Sequence, residues 1–419
     1  MRTLQLIVLC CSAISAQQRH VVVISLDGYP AYALRDPHTP APTLRGLIRE
    51  GAWAPGGMTP VNPTVTWPNH TSMVTGVDAS RHGVLFNGMP VRKDGTVRID
   101  PWVTKLELVQ APTVYDLAHG RGMTTAEVDW VAIQDAPTID FAFSEVPKSG
   151  SPIVRELVAA GIVSLDDING FAKAPITYRD EIWTLSAIHI LQKHHPNLLL
   201  FHLLTTDSAQ HRYGARSLGA LSALALADRQ VERLIDAARS AGILADTTFL
   251  VVSDHGFHTA KRQIRPAALL KQRNITGVTI IPEGGTAMVY GSLPPETFRN
   301  IEGISQVITP DQFAGHGFPK AGGRMADLVL AAEDEYAFSG DTDGPVVSDL
   351  PPASNSGNHG YLISHPDMRP IFVAWGNGIK PGARLEGVRT IDLAPTIARL
   401  LGFEMKSISG TVIAAALTP

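Results

Sequence analysis

The stretch VVVISLDG, residues 21–28, decides the fold of this chain, because a β-branched apolar run ends directly in an aspartate and a glycine. Such a run is typical of a strand that is buried on both faces. Similar runs stand at residues 197–204, 248–253 and 370–375, and helical patterns lie between them at 43–51, 179–194 and 218–241. We therefore predict a doubly wound α/β domain with a largely parallel central sheet and helices on both faces.

The pattern changes between residues 259 and 356, where Gly and Pro are frequent and the apolar runs at 278–281 and 286–290 are short. We interpret this segment as an inserted α+β subdomain. The catalytic α/β domain then comprises residues 17–258 and 357–419, with a closing helix at 392–401 that ends before Gly402.

The composition gives no sign of a macromolecular ligand. With 419 residues, 44% of them hydrophobic, the chain can bury a large core, but its formal net charge is only −4. Such a balance supplies no strong field for nucleic acid or an anionic membrane. We expect no nucleic-acid-binding surface, and the oligomeric state stays open.

Residues 1–16 resemble a cleavable secretory signal: Arg2 precedes the apolar run 4–14, which leads to small residues up to Ala16. Both cysteines, Cys10 and Cys11, lie within it, so a mature chain would have no disulfide and no thiolate ligand. No later run is long enough for a transmembrane anchor. We expect a secreted protein, periplasmic if the source is bacterial.

Three aspartates, Asp27, Asp207 and Asp254, each follow a predicted buried strand. Ligands bind beyond the carboxyl ends of strands in open α/β sheets. One aspartate at a strand end is commonly a cap or turn residue, but two of these have histidines at ligand spacing: His211 four residues after Asp207, and His255 directly after Asp254. Carboxylate and imidazole together suit zinc, and also admit manganese, iron or cobalt.

Two further positions remain ambiguous from the residues alone. His359, in SGNHGY, is as often a surface residue as a ligand. Thr66, in PVNPTVTWPNHTSMVTG, precedes a helical run, so its hydroxyl either caps free backbone amides or acts as a nucleophile at the positive end of a helix.

Six motifs together carry a resemblance: LDG, TVTWPNH, TGVDASRHGV, DSAQHRYG, SDHGF and NHGY occur in this order between residues 26 and 361. In these motifs the chain resembles the nucleotide pyrophosphatase/phosphodiesterase family of the alkaline phosphatase superfamily. The resemblance implies an alkaline phosphatase-like fold and two Zn²⁺ ions. It assigns one ion to Asp207, His211 and His359, and the other to Asp27, Asp254 and His255, with Thr66 bridging toward the second.

The same resemblance implies a small-molecule phosphate ester or nucleotide as substrate, and it implies a mechanism. Thr66 would attack phosphorus in a phosphate diester or nucleotide pyrophosphate, and water would then hydrolyse the phosphothreonine. Asn87, in LFNGM, matches the family's phosphate-binding asparagine; its side-chain amide and the backbone amide beside Thr66 would stabilise the phosphoryl oxygen.

The departures from the family concern the substrate. Trp67 stands where the family usually has phenylalanine, and would stack on a nucleobase or wall the pocket. His202 stands where nucleotide-cleaving members have a tyrosine, and Thr206 replaces a proline. We therefore expect Trp67 and His202 to contact substrate, and nucleotide preference stays open.

Other functions share parts of this pattern. A phosphomonoesterase or a phosphonoacetate hydrolase of the same superfamily would use the same ligands. An inactive exported protein that binds metal and phosphate would need no positioned nucleophile, so the presence of Thr66 beside six ligands disfavours it. A sulfatase is disfavoured because Thr66 occupies the position of the formylglycine precursor.

Overall fold

A computed structural model describes residues 19–350 and 356–419. The predicted signal at residues 1–16 lies outside the described residues. Within those two ranges, no helix is both long and apolar enough to cross a membrane.

An eight-stranded sheet forms the centre of the molecule, in the spatial order β8-β2-β7-β6-β1-β5-β3-β4. The five strands β6, β1, β5, β3 and β4 are parallel, and β7 runs antiparallel to both of its neighbours. In chain order the strands are β1 His20–Leu26, β2 Ala52–Trp53, β3 Thr125–Val128, β4 Phe141–Phe143, β5 Leu198–Leu203, β6 Thr247–Val252, β7 Phe372–Gly376 and β8 Ala383–Arg384. The predicted largely parallel sheet is confirmed.

Strand β1 pairs with β5 and β6, and every one of its residues is buried. Because successive side chains point to opposite faces, Val22 and Ile24 enter one hydrophobic layer while Val21 and Val23 enter the other. Both faces of the sheet are covered, so every residue of the run VVVI must be apolar to pack into one of the two layers.

Helices cover the two faces. The helices between β4 and β6 pack with the helix Pro42–Glu50 on one face. The helices Thr66–Thr75, Val114–His119 and Leu393–Leu401 pack on the other face. The helices are α1 Ala31–Arg35, α2 Pro42–Glu50, α3 Thr66–Thr75, α4 Ala79–His82, α5 Lys105–Leu108, α6 Val114–His119, α7 Pro152–Ala159, α8 Leu165–Gly170, α9 Ile176–His194, α10 Thr205–Tyr213, α11 Leu218–Ser240, α12 Pro266–Gln272 and α13 Leu393–Leu401.

The segment after residue 259 forms sheets of its own. An antiparallel sheet contains Thr279–Glu283, Thr286–Tyr290, Leu328–Ala332 and Ile304–Ile308, and a mixed sheet contains Tyr336–Phe338, Arg262–Ile264 and Val347–Asp349. Residues from these sheets and α12 share a separate hydrophobic cluster. The boundaries of an inserted subdomain at residues 259 and 356 stay a prediction.

Candidate active site

Two groups of potential metal ligands form at the carboxyl edge of the parallel strands, where β1, β5 and β6 end. In each group the ligand atoms lie within 4.8 Å of one another. One group consists of Asp207, His211 and His359, and the other of Asp27, Asp254 and His255. The structure thus brings together all six residues in the two sets that the sequence motifs imply.

In the first group, Asp207 and His211 project from one face of α10, four residues apart. Oδ1 of Asp207 lies 3.4 Å from Nε2 of His211 and 3.8 Å from Nε2 of His359. The His359 loop depends on Gly360, which has a φ of +76° and would place a Cβ 1.5 Å from the carbonyl oxygen of Glu283. Only glycine permits this approach.

In the second group all three side chains are fully buried. Nε2 of His255 lies 3.1 Å from Oδ2 of Asp254 and 3.4 Å from Oδ1 of Asp27. Gly28 follows Asp27 with a φ of +64°, and its amide donates to Oδ1 of Asp254 at 3.1 Å. This turn joins the ends of β1 and β6.

All three ligand histidines are held in the same way. Nδ1 lies at hydrogen-bonding distance from a backbone carbonyl oxygen: 2.9 Å for His211 to Gly357, 3.0 Å for His255 to Gly256 and 3.0 Å for His359 to Thr64. Because a carbonyl only accepts, Nδ1 must carry the proton and Nε2 keeps its lone pair. That arrangement orients imidazoles for metal binding.

The carboxylates also fit metal ions. Oδ1 of Asp27, Oδ1 of Asp207 and Oδ2 of Asp254 are buried without a hydrogen-bond partner. Burial, with repulsion from Asp254 and Asp207, holds the pKa of Asp27 well above its usual range. Burial lowers the pKa of His255 to about 4, so this imidazole is neutral near pH 7. A divalent cation in each group would relieve both the repulsion and the missing contacts.

Thr66 is the first residue of α3, and Val65 is the residue at the helix cap. The Thr66 hydroxyl does not cap the helix: its hydrogen-bonding contact among the described residues is Nε2 of His255, at 3.5 Å. Capping therefore does not explain this threonine. The hydroxyl faces the second ligand group, as a nucleophile would.

Asn87 bonds to the backbone at the start of α3. Its Oδ1 accepts from the amide of Trp67 at 3.0 Å, and the residue is exposed. We expected this amide itself to meet the phosphoryl oxygen, but here it is bonded to Asn87. Since Oδ1 is engaged, Nδ2 of Asn87 is the group left to donate to an anion.

The structure corrects the expectation for His202. Its ring is completely buried, with Nε2 3.0 Å from Oδ2 of Asp27 and Nδ1 3.0 Å from the carbonyl oxygen of Asp129. Both nitrogens are engaged, so His202 lies beneath Asp27 and holds it, and does not face a substrate. Thr206 is also structural, because its hydroxyl donates to the carbonyl oxygen of Asp27.

Two residues of this site were not predicted. Asp129 follows β3 and lies 3.3 Å from Nδ1 of His202. His70 packs its ring 4.4 Å from that of His202, and its Nδ1 lies 2.9 Å from the Thr66 carbonyl oxygen and 3.6 Å from Asp254. Asp129 had the signal that singled out the three ligand aspartates, since it directly follows a strand; His70 follows Thr66 by one helical turn.

A cavity of about 420 Å³ is lined in part by Trp67, the residue that follows Thr66. Trp67, Trp102 and Trp130 line it together with the carboxyl group of Glu127. Trp67 is 9% exposed, so most of its indole is packed and one part faces the cavity. The location and the apolar walls suit the organic part of an ester.

Several known proteins resemble this chain in sequence or in fold. It is 23% identical over 406 residues to the bis(5'-adenosyl)-triphosphatase of Xenopus laevis, covering 94% of this chain and 80% of that protein. It is 22% identical to human ectonucleotide pyrophosphatase/phosphodiesterase family member 1, covering 93% of this chain but 40% of that longer protein. The fold resembles murine ectonucleotide pyrophosphatase/phosphodiesterase 5 with a TM-score of 0.74 and 20% identity, over 96% of this chain and 100% of that one.

The sequence also matches a family as a whole, described as type I phosphodiesterase / nucleotide pyrophosphatase, over residues 21–362. That range holds both ligand groups, Thr66 and Asn87. The family consists of metal-dependent hydrolases of phosphodiester and pyrophosphate bonds. The chain belongs to the type I phosphodiesterase / nucleotide pyrophosphatase family.

Proposed function

We propose that this protein is a secreted hydrolase that uses two zinc ions and Thr66 to cleave phosphate diesters or nucleotide pyrophosphates through a phosphothreonine intermediate. The observation that carries the proposal is the position of the Thr66 hydroxyl. It lies 3.5 Å from Nε2 of His255, within one ligand group, at the amino end of α3. A mere binding protein has no need of a hydroxyl placed there.

The ligand assignments follow the two groups. Asp207, His211 and His359 would hold one zinc ion, and Asp27, Asp254 and His255 the other. When bound, the ions supply Lewis acidity and lower the pKa of coordinated hydroxyl groups. Each site offers three nitrogen and oxygen ligands and no thiolate, a set that is compatible with zinc.

The residues of the chain then perform distinct roles. The Thr66 oxygen attacks phosphorus, forms the new P–O bond and displaces the leaving oxygen; water later breaks the P–O bond to Thr66. Nδ2 of Asn87 donates to a phosphoryl oxygen, where charge develops. The amino terminus of α3 favours the same negative charge.

The surroundings of the site favour diesters over monoesters. Monoesterases commonly need a cation for the second non-bridging charge. The first two arginines after Thr66 in the sequence make other contacts: Arg81 donates to the Ser407 carbonyl oxygen at 2.6 Å, and the guanidinium of Arg92 lies over the Tyr290 ring at 5.0 Å. A diester brings one charge and an organic group, which the tryptophan-lined cavity accommodates.

A nucleoside is one such organic group. The murine neighbour was solved as an inactive threonine-to-alanine variant in complex with AMP. In this chain the indole of Trp67 would stack on the base or another flat leaving group.

The deciding experiment compares kcat/KM of the zinc-loaded protein for the p-nitrophenyl ester of thymidine monophosphate, a diester, and for p-nitrophenyl phosphate. We expect a strong preference for the diester. A preference for the monoester would instead indicate a phosphatase, and hydrolysis of phosphonoacetate alone would indicate the phosphonate-cleaving relative.

Secretion is tested separately. Expression of the full-length chain in a bacterial host, followed by amino-terminal sequencing of the exported protein, should show cleavage after Ala16. Retention of residues 1–16 in an unexported protein would contradict it.

A further inference from the structure

A third group of potential metal ligands lies away from the active site, at Glu156, His189 and His194. Glu156 belongs to α7, and both histidines belong to α9. Helix α9 leads into the amino end of β5, whereas the active site lies at its carboxyl end. The group is therefore separate from the two that surround Thr66.

Its geometry is that of converging ligands. Nε2 of His189 lies 3.2 Å from Oε1 of Glu156, and Nε2 of His194 lies 2.9 Å from Oε2. The side chains are 11%, 24% and 18% exposed for His189, Glu156 and His194, so a small ion can enter while most water is excluded. Two imidazoles and one carboxylate make a ligand set that zinc accepts.

One feature separates this group from an ordinary ion pair. Nε2 of His189 is buried and has no hydrogen-bond partner, although a carboxylate oxygen is only 3.2 Å away. Close approach without hydrogen-bond geometry also characterises Oδ1 of Asp207 in the active site. In the third group only His194 hydrogen-bonds to the carboxylate, with Nε2 2.9 Å from Oε2 of Glu156. His189 faces the same carboxylate without such a bond.

A neighbouring aromatic ring holds His194 in place. The ring of Phe141, on the edge strand β4, stacks on the ring of His194 with centroids 3.9 Å apart.

Lys193 is the one nearby cation recorded at Glu156 in the described residues, with Nζ 3.3 Å from Oε1, and its side chain is 60% exposed. An exposed lysine can swing into solvent and leave the carboxylate to an ion.

A second histidine-rich group offers a contrast. His365 accepts the Asp367 amide at Nδ1, at 3.2 Å, so its proton is on Nε2 and is donated to Asp334 at 2.8 Å. The Asp367 amide fixes this tautomer, which leaves no lone pair for a metal ion, and Asp334 is 74% exposed. Nε2 of His258 is also buried without a hydrogen-bond partner, but it lies 4.0 Å from Asp334. Because His365 offers no lone pair, the group of His258, Asp334 and His365 does not supply three ligands.

We propose that Glu156, His189 and His194 bind a zinc ion that is not part of the catalytic site and that joins α7 to the end of α9 beside the edge strand β4. Two Nε2 atoms and the carboxylate supply three ligands, and water completes the coordination. The ion replaces the Lys193 contact and stabilises this corner of the sheet.

The test measures bound zinc per chain by inductively coupled plasma mass spectrometry, after zinc loading and desalting. His194→Asn should bind one equivalent less than the wild type and keep diester turnover. Glu156→Gln, a second variant should the first fold poorly, should show the same loss. Asp334→Asn, a matched change in the contrasting group, should keep the wild-type content.

Lys193→Ala separates the zinc site from an ion-pair network. Because a competing cation is removed, this variant should keep the extra equivalent and hold it at least as tightly in competition with a chromophoric chelator. Equal zinc content in the wild type, His194→Asn and Glu156→Gln would overturn the proposal. The comparison is a difference between variants, so it does not depend on how many ions the active site binds.

Discussion

The hydroxyl oxygen of Thr66 lies 3.5 Å from Nε2 of His255, one of the three potential metal ligands of the second group. Thr66→Ala should lower kcat for a diester by about 10³-fold or more, because the nucleophile is removed while all six ligands stay. Zinc content and thermal unfolding should be close to wild type. Parallel measurement of kcat and bound metal checks this expectation.

Thr66→Ser is the matched control, since it keeps a hydroxyl at the same position. It should retain far more activity than Thr66→Ala. Full turnover in the alanine variant would exclude Thr66 as the nucleophile.

Asp254→Ala should lose metal as well as activity. Its carboxylate approaches His255 at 3.1 Å and anchors the amide of Gly28 at 3.1 Å, so both the ligand and the turn after β1 are affected. We expect about one equivalent of zinc less than in the Thr66→Ala protein. Unchanged metal content in Asp254→Ala would contradict the ligand assignment.

Much of this arrangement follows from the sequence. The buried strand predicted in VVVISLDG, residues 21–28, is β1, His20–Leu26, and the predicted helix at 218–241 is α11, Leu218–Ser240. Long apolar runs and caps define such elements locally. Helix α9 begins at Ile176, three residues before the predicted start, because Pro175 supplies the extended residue before it. Asp27, Asp207 and Asp254 each follow a predicted buried strand, so the sequence also predicts that they meet at the carboxyl edge of the sheet.

The orientation of His202 was harder to predict. It lies within β5, where Leu198 and Leu200 point into one buried layer and Leu199 and Phe201 into the other. By alternation His202 shares the side of Leu200, and there it meets His70 and Asp129. The residue aligned with it by resemblance is a substrate contact, and that comparison concealed the simpler consequence of strand alternation.

His202→Gln tests this positioning role. Without the contact to Oδ2 of Asp27, at 3.0 Å, zinc affinity at the second ligand group should fall by about 10–100-fold. KM of the zinc-saturated protein should change little, because the ring does not reach the cavity. A large rise in KM with unchanged zinc affinity would show that His202 contacts substrate after all.

Trp67→Ala should affect the use of substrate and leave zinc affinity unchanged. Trp67 follows Thr66 and lines the cavity, so its removal should lower kcat/KM for a nucleoside diester more than for a diester with small alkyl groups. Trp67→Phe, which keeps an aromatic face, should preserve most of the difference. Equal losses for both esters would assign Trp67 to the pocket wall alone.

Glu127 makes the stability of the fold depend on pH. Glu127 is only 3% exposed, and this burial raises the pKa of its carboxyl group to about 8. In the unfolded chain the carboxyl group has its ordinary pKa near 4.5. Between these two values the unfolded chain gives up the proton before the folded one, so this group's contribution to stability is present at low pH and is lost as the pH rises toward 8.

Glu127→Gln should remove that loss. The amide oxygen can still accept from the Trp130 amide, which Oε2 of Glu127 does at 3.1 Å, and no charge forms at any pH. The free energy of unfolding of the variant, relative to wild type, should therefore rise by about 3 kcal/mol between about pH 5 and pH 7.5. Glu145→Gln, a change at the same cavity, is the control for removing a carboxylate. Urea unfolding at several pH values measures the difference, and a flat difference would mean that Glu127 is already ionised in the folded protein.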